Sequence, residues 1–147
     1  MRELKSSLAS RQSLAPALRI TTATGTAIDR TGFESVTFVV HVGAWTDGQH
    51  IVYFEHSDDG STYYTCLEDD LVGATVNLTT GEKWGVTIED DGSSPTAPTY
   101  HNENILIGYV GDRQYIRPKS YIDDAPNTGA FIGVDAILGH ASKRPTA

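Results

Sequence analysis

The feature that most constrains this chain is a two-residue rhythm of apolar side chains, broken at intervals by glycine. Val36, Phe38, Val40 and Val42 share one face of an extended segment, with Thr37, Val39 and His41 on the other. Successive side chains of a strand point to opposite sides, so this spacing buries one face of a strand and would scatter around a helix. Trp84, Val86 and Ile88 repeat the pattern. Between Ala130 and Leu138, Phe131, Gly133, Asp135 and Ile137 alternate with Ile132, Val134, Ala136 and Leu138. Tyr63, Thr65 and Leu67 alternate against Tyr64, Cys66 and Glu68, and Leu18-Arg19-Ile20 makes a shorter run. Ile51-Val52-Tyr53-Phe54 is apolar on both faces. Ile105-Leu106-Ile107 and Tyr115-Ile116-Arg117 are expected to flank a turn at Gly111-Asp112.

Asp47-Gly48, Asp59-Gly60, Thr80-Gly81, Asp91-Gly92 and Gly111-Asp112 are expected to supply the left-handed conformations that tight turns need. Short strands separated by such turns, with few helical windows, predict an all-β fold, an antiparallel β-sandwich or a closed barrel. At 147 residues the chain forms one domain around one core. That domain is expected over 16–138, between an N-terminal arm (1–15) and a C-terminal tail (139–147). Within the arm, Leu4 and Leu8 lie at i,i+4 and support one or two helical turns, marginal without a partner. Pro16 ends the arm. The stretch Asp90 to Asn104, with Gly92, Pro95 and Pro98, lacks any period and is expected as a long loop.

Several function classes fall to composition. No run approaches the roughly 20 apolar residues of a membrane-spanning helix. The first residues lack the apolar centre of a secretory signal. The single cysteine, Cys66, excludes an intrachain disulfide and an all-cysteine metal site. The net charge of −8 is uneven. Residues 1–19 carry four basic residues against one acidic (+3), residues 20–142 five against eighteen (−13), and residues 143–147 two basic (+2). An acidic body repels phosphates, so direct nucleic-acid binding is not expected. Two basic ends suit acidic neighbours, including copies of the same chain. Arg2, Lys5, Arg11, Lys143 and Arg144 are the expected charged partner contacts, with Leu4, Leu8 and Leu14 as apolar anchors.

Catalytic chemistry finds no foothold in the sequence. Serines, histidines and aspartates occur, but no G-x-S-x-G elbow and no H-E-x-x-H spacing places them. No enzyme activity and no cofactor are expected. His41 and His56, read as lying on neighbouring strands, are one candidate metal pair. The acidic turns Asp58, Asp59, Glu68, Asp69, Asp70, Asp90 and Asp91 are another. None matches a calcium-loop spacing, and turn geometry already accounts for aspartate before glycine. No tightly bound metal is expected. Trp45, Tyr53, Tyr63, Tyr64, Trp84, Tyr100 and Tyr109 would suit a sugar-stacking platform, but aromatics equally fill sandwich cores and interfaces.

Val42-Gly43-Ala44-Trp45-Thr46-Asp47-Gly48, followed by Phe54-Glu55-His56-Ser57-Asp58-Asp59-Gly60-Ser61-Thr62-Tyr63, resembles small proteins encoded in the head modules of tailed bacteriophages. The late strand Arg113-Gln114-Tyr115-Ile116-Arg117 and the tail from Gly139-His140 to Arg144-Pro145 belong to the same resemblance, which spans most of residues 15–145. It implies a jelly-roll or related sandwich that decorates ("cements") the outer capsid surface. The expected partners are the major capsid protein and copies of itself. It carries no catalytic residues. A neck or tail completion protein and a glycan-binding module are the alternatives.

Overall fold

The apolar alternation resolves into strands that pair first with last. The computed structural model describes residues 3–78, 81–92 and 99–143. In chain order the strands are β1 (Ala9–Arg19), β2 (Ala23–Thr24), β3 (Ile28–Asp29), β4 (Phe33–Trp45), β5 (Gln49–Ser57), β6 (Tyr64–Thr65), β7 (Leu71–Val72), β8 (Thr75–Asn77), β9 (Lys83–Ile88), β10 (Glu103–Tyr109), β11 (Tyr115–Asp124) and β12 (Ala130–Ala141). Two short 3-10 turns, Lys5–Ser7 and Glu68–Asp70, are the helical elements among the described residues. Sheet one runs β1-β12-β4-β10-β7, and sheet two runs β2-β11-β5-β9-β8, with β3 also on β11 and β6 on β5.

The pairing is nested and antiparallel: β1 with β12, β3 with β11, β4 with β10, β5 with β9. A chain folded into one long hairpin and then rolled gives this order, which is that of a jelly roll. The segment β6 to β8 interrupts the roll between β5 and β9 and adds a short strand to one edge of each sheet.

Val36, Phe38, Val40 and Val42 of β4 face inward, as their spacing predicts. They meet sheet two across a core in which the Phe38 and Phe54 ring centroids stand 4.7 Å apart. Ile107, Ile116, Val134 and Leu138 are fully buried beside them. Each such side chain contributes about 1.5–3 kcal/mol by leaving water. On β5 the outward residues Ile51, Tyr53 and Glu55 are buried as well. The strand is central in its sheet, and long side chains from β9 and β11 fold over it: the Lys83 ammonium lies 5.6 Å from the Tyr53 ring centre and 5.1 Å from that of Tyr121. This covering explains why β5 reads as apolar on both faces.

Several elements differ from the sequence expectation. Residues 9–15, expected in the arm, form the start of β1, and the helical turns expected around Leu4 and Leu8 reduce to one 3-10 turn. Pro16 sits inside β1, where the register slips between Leu14 and Ala17. An edge strand tolerates proline at such an irregularity because no ladder hydrogen bond is asked of it. β12 likewise continues through Ala141, into the expected tail. The tight left-handed turn expected at Gly111-Asp112 is absent: Gly111 does not take a positive φ, and β10 and β11 belong to different sheets, so the chain crosses the core edge there. The alternating run around Tyr63–Glu68 pairs only at Tyr64–Thr65 before the 3-10 turn begins. The loop between β9 and β10 is present, with residues 93–98 outside the described residues.

Candidate interaction surface

The outer face of sheet one carries apolar side chains that no other described residue covers. On β10 alternate residues point outward, placing Leu106 opposite Val39 of β4, and Leu106 is 61% exposed. On the neighbouring edge strand Val72 pairs with Gly108 and is 60% exposed. The missing side chain at Gly108 leaves Val72 uncovered from that side. Val110, just beyond β10, is also 60% exposed, and its N–H donates to the Asp70 carbonyl at 2.8 Å, fixing the strand end. Isolated exposed apolar residues are ordinary, whereas a group on one rigid face marks an interaction site.

Toward the sheet centre the same face becomes polar. His41 contacts Asn104 Oδ1 at 2.8 Å and Asp135 Oδ2 at 2.9 Å, tying β10, β4 and β12 together. Beyond it, Phe131 stands half-exposed beside Pro16, Ala44 and Gly133 in a shallow apolar recess. A Cβ at Gly133 would lie 2.8 Å from Pro16 Cγ, so glycine is what lets β1 close over β12 here.

Sheet two presents a different outer face. Arg117 donates from Nη2 at 2.7 Å and from Nε at 2.8 Å to Glu55 Oε2, and Lys119 Nζ lies 3.4 Å from Glu55 Oε1. The Arg117 guanidinium also stacks 3.7 Å from the Tyr63 ring centre, and that of Arg113 lies 4.6 Å from the Tyr64 ring centre. Cations over aromatic faces give a stiff, satisfied surface. Of the rings that would suit a sugar platform, Tyr64 alone is more than half exposed, and Arg113 lies over one of its faces. Tyr63, Tyr64 and Tyr53 are matched with cations, Tyr109 is buried, and Trp45, Trp84 and Tyr100 pack against the core.

The expected partner contacts divide into groups. Leu4 is 67% exposed, and Lys5 and Lys143 are exposed as well. Pairing of Ala9 with Leu138 and of Phe33 with Ala141 brings the N-terminal turn and the end of β12 to the same end of sheet one. Ser142 N–H donates to the Gly32 carbonyl there at 2.9 Å. Leu8 is half-buried over Gly139. Arg11 is exposed, yet its Nη1 donates to the Asp29 carbonyl at 3.3 Å and its guanidinium lies 6.0 Å from the Phe33 ring centre. Leu14 is no anchor for a partner: it is 5% exposed, within the core. Arg2 and Arg144 lie outside the described residues.

The acidic turns serve the backbone. Asp59 Oδ1 accepts the Thr62 and Ser61 N–H groups at 2.8 Å each and the Ser57 hydroxyl at 2.9 Å. These donors, the Thr62 N–H foremost, pull its carboxyl down to about 2. Asp47 accepts the N–H groups of Asn127, Thr128 and Gly129, so the turn after β4 holds the loop before β12. Gly129 N–H is the main cause of its lowered pKa. His41 and His56 do not form a pair, because β4 and β5 lie in different sheets and His41 faces outward. The apolar group Val72, Leu106 and Val110 was missed by strand reading; its sequence signal is the run Ile105-Leu106-Ile107, where three consecutive apolar residues exceed what one buried face requires.

Compared with known protein families, curated proteins and solved structures, the chain matches none.

Proposed function

We propose that this chain is a non-enzymatic structural protein of a tailed-bacteriophage virion: a decoration protein that binds the outer surface of the head, contacts the major capsid protein and copies of itself, and stabilises the shell. The observation that carries the reading is the apolar group Val72, Leu106 and Val110 on the outer face of a rigid sheet. The resemblance of residues 42–63 to head-module proteins supplies the class of partner.

Magnitudes favour many copies over one. Covering the exposed parts of these three side chains yields roughly 3–5 kcal/mol. Association costs an estimated 4–15 kcal/mol in lost freedom, so this patch alone gives a weak complex. Repetition on a lattice turns weak contacts into stable occupancy, because each bound copy raises the effective concentration of contacts for the next. The exposed Leu4, Lys5 and Lys143 add contacts at one end of the same sheet. A neck or tail completion protein would use the same surface and differs only in where the chain sits in the particle. The glycan-binding alternative is disfavoured because most of the candidate rings are buried or partly buried in the sandwich.

The test is to titrate purified protein onto heads lacking it and compare Leu106→Asp. The wild type is expected to saturate the heads and raise their heat resistance, while the variant, folded normally, loses at least about tenfold in affinity. Equal binding by both, or no binding by the wild type, would overturn the reading.

A further inference from the structure

Where the chain leaves sheet two for sheet one, three metal-ligating side chains converge. His56 comes from the inward face of β5. Cys66 follows β6 and is anchored through its N–H, which donates to the Phe54 carbonyl at 2.9 Å. Asp70 closes the 3-10 turn, its Oδ2 accepting the Leu67 N–H at 2.8 Å. One ligand atom from each of the three lies within 4.8 Å of the others. His56 and Cys66 are buried, and Asp70 is half-exposed. The cluster is independent of the apolar face that carries the proposed function.

We propose that His56, Cys66 and Asp70 bind one divalent transition-metal ion of the zinc class, which clamps the β6–β7 crossover onto the sandwich. A thiolate, an imidazole and a carboxylate form a donor set that suits zinc, with the fourth position left to water. The open side lies past Asp70, the solvent-facing member of the group.

The surroundings orient the ligands. His56 Nδ1 contacts the Tyr109 hydroxyl at 2.9 Å, and that hydroxyl accepts the Arg113 N–H at 3.1 Å. With the proton on Nδ1 donated to Tyr109, the Nε2 lone pair faces Asp70 Oδ2, 4.0 Å away. That gap is too long for a hydrogen bond. Bonds of about 2.0–2.3 Å in a tetrahedral site put these ligand atoms about 3.3–3.6 Å apart, so the cluster needs to close by up to about 1.5 Å. A partner on the second imidazole nitrogen is the usual support of a metal-bound histidine. The donor from Cys66 is the thiolate, formed from the thiol by loss of its proton. The entering ion takes the place of that proton, which passes to solvent, so binding one ion releases one proton.

This departs from the sequence expectation of no tightly bound metal. That expectation paired His56 with His41, and the fold gives His56 other company.

Because Cys66 is the one cysteine in the chain, cobalt(II) is a clean probe. Added to the chelator-stripped full chain, one equivalent is expected to produce a thiolate-to-cobalt charge-transfer band that excess zinc abolishes. Saturating zinc is expected to raise the melting temperature by about 5–10 °C. Asp70→Asn, which keeps an acceptor oxygen for Leu67, is expected to weaken binding at least about tenfold. Cys66→Ser is expected to lose the band and the zinc shift. If Cys66→Ser fails to fold, the wild-type spectrum and Asp70→Asn decide alone. Metal binding without a thiolate band, unchanged affinity in Asp70→Asn, or a zinc shift surviving in folded Cys66→Ser would overturn the assignment.

Discussion

Leu14→Ala separates a chain with a free N-terminal arm from one whose first strand belongs to the core. Leu14 is 5% exposed and sits opposite Val134 in the β1–β12 pair. The next residue back, Ser13, accepts the Thr26 N–H at its carbonyl at 2.7 Å, so β1 is held at this point to both neighbours. Truncating a buried leucine costs about 2–5 kcal/mol, from the lost transfer energy and the cavity left behind. At about 2–4 °C per kcal/mol for a domain of this size, a loss near 3 kcal/mol lowers the melting temperature by about 6–12 °C. Leu4→Ala, at a site 67% exposed, is expected to stay within about 0.5 kcal/mol of wild type. Deleting residues 1–8 should spare the fold, whereas deleting residues 1–15 removes the start of β1 and should not. Urea and thermal unfolding followed by tryptophan fluorescence and circular dichroism measure all four. A Leu14→Ala protein as stable as Leu4→Ala, or a 1–15 deletion that melts like wild type, would refute the placement of β1.

Three further outcomes follow from the packing. A Cβ at Gly85 would stand 1.8 Å from the Val52 carbonyl oxygen, so Gly85→Ala is expected to cost at least the upper end of the roughly 1–3 kcal/mol of overpacking, read as lost soluble yield or melting temperature. Glu55→Gln leaves Arg117 and Lys119 facing each other without their carboxylate; with the arginine and lysine partly solvated, about 1–3 kcal/mol is expected in urea unfolding, more than any exposed pair would give. Burial is the main cause that lowers the pKa of both His50 and His56 below their ordinary 6.5. The unfolded chain then binds protons more readily than the folded one, so stability is full above about pH 6.5 and falls as the pH drops below it. His50→Gln should flatten part of that fall, and an unchanged slope would assign it elsewhere.

The sheets were legible wherever one face of a strand is dry and the other wet. β4, β9 and β12 meet that condition, so Val36–Val42, Trp84–Ile88 and Ala130–Leu138 read correctly. β5 gave an ambiguous pattern because its outward face lies under Lys83, Arg117 and Lys119, a covering set by neighbours distant in sequence. β1 was lost in the arm because Pro16 and the nearby register slip break its period, and pairing with β12 depends on a contact more than a hundred residues away. The Gly111-Asp112 segment reads as a tight turn because local residue chemistry cannot say whether the next strand joins the same sheet. The surface patch and the His56–Cys66–Asp70 cluster are products of the rolled topology. Leu106 looks like any strand residue until β10 is known to expose it, and Cys66 gains its partners only when the crossover folds back on β5.

The most direct test of the proposed role is to image purified virions at a resolution that traces side chains and to fit this jelly roll to the density. The account predicts many ordered copies on the outside of the head, with the Val72–Leu106–Val110 face turned toward the shell or a neighbouring copy. Particles that lack the chain, or copies in which that face points freely into solvent, would contradict it.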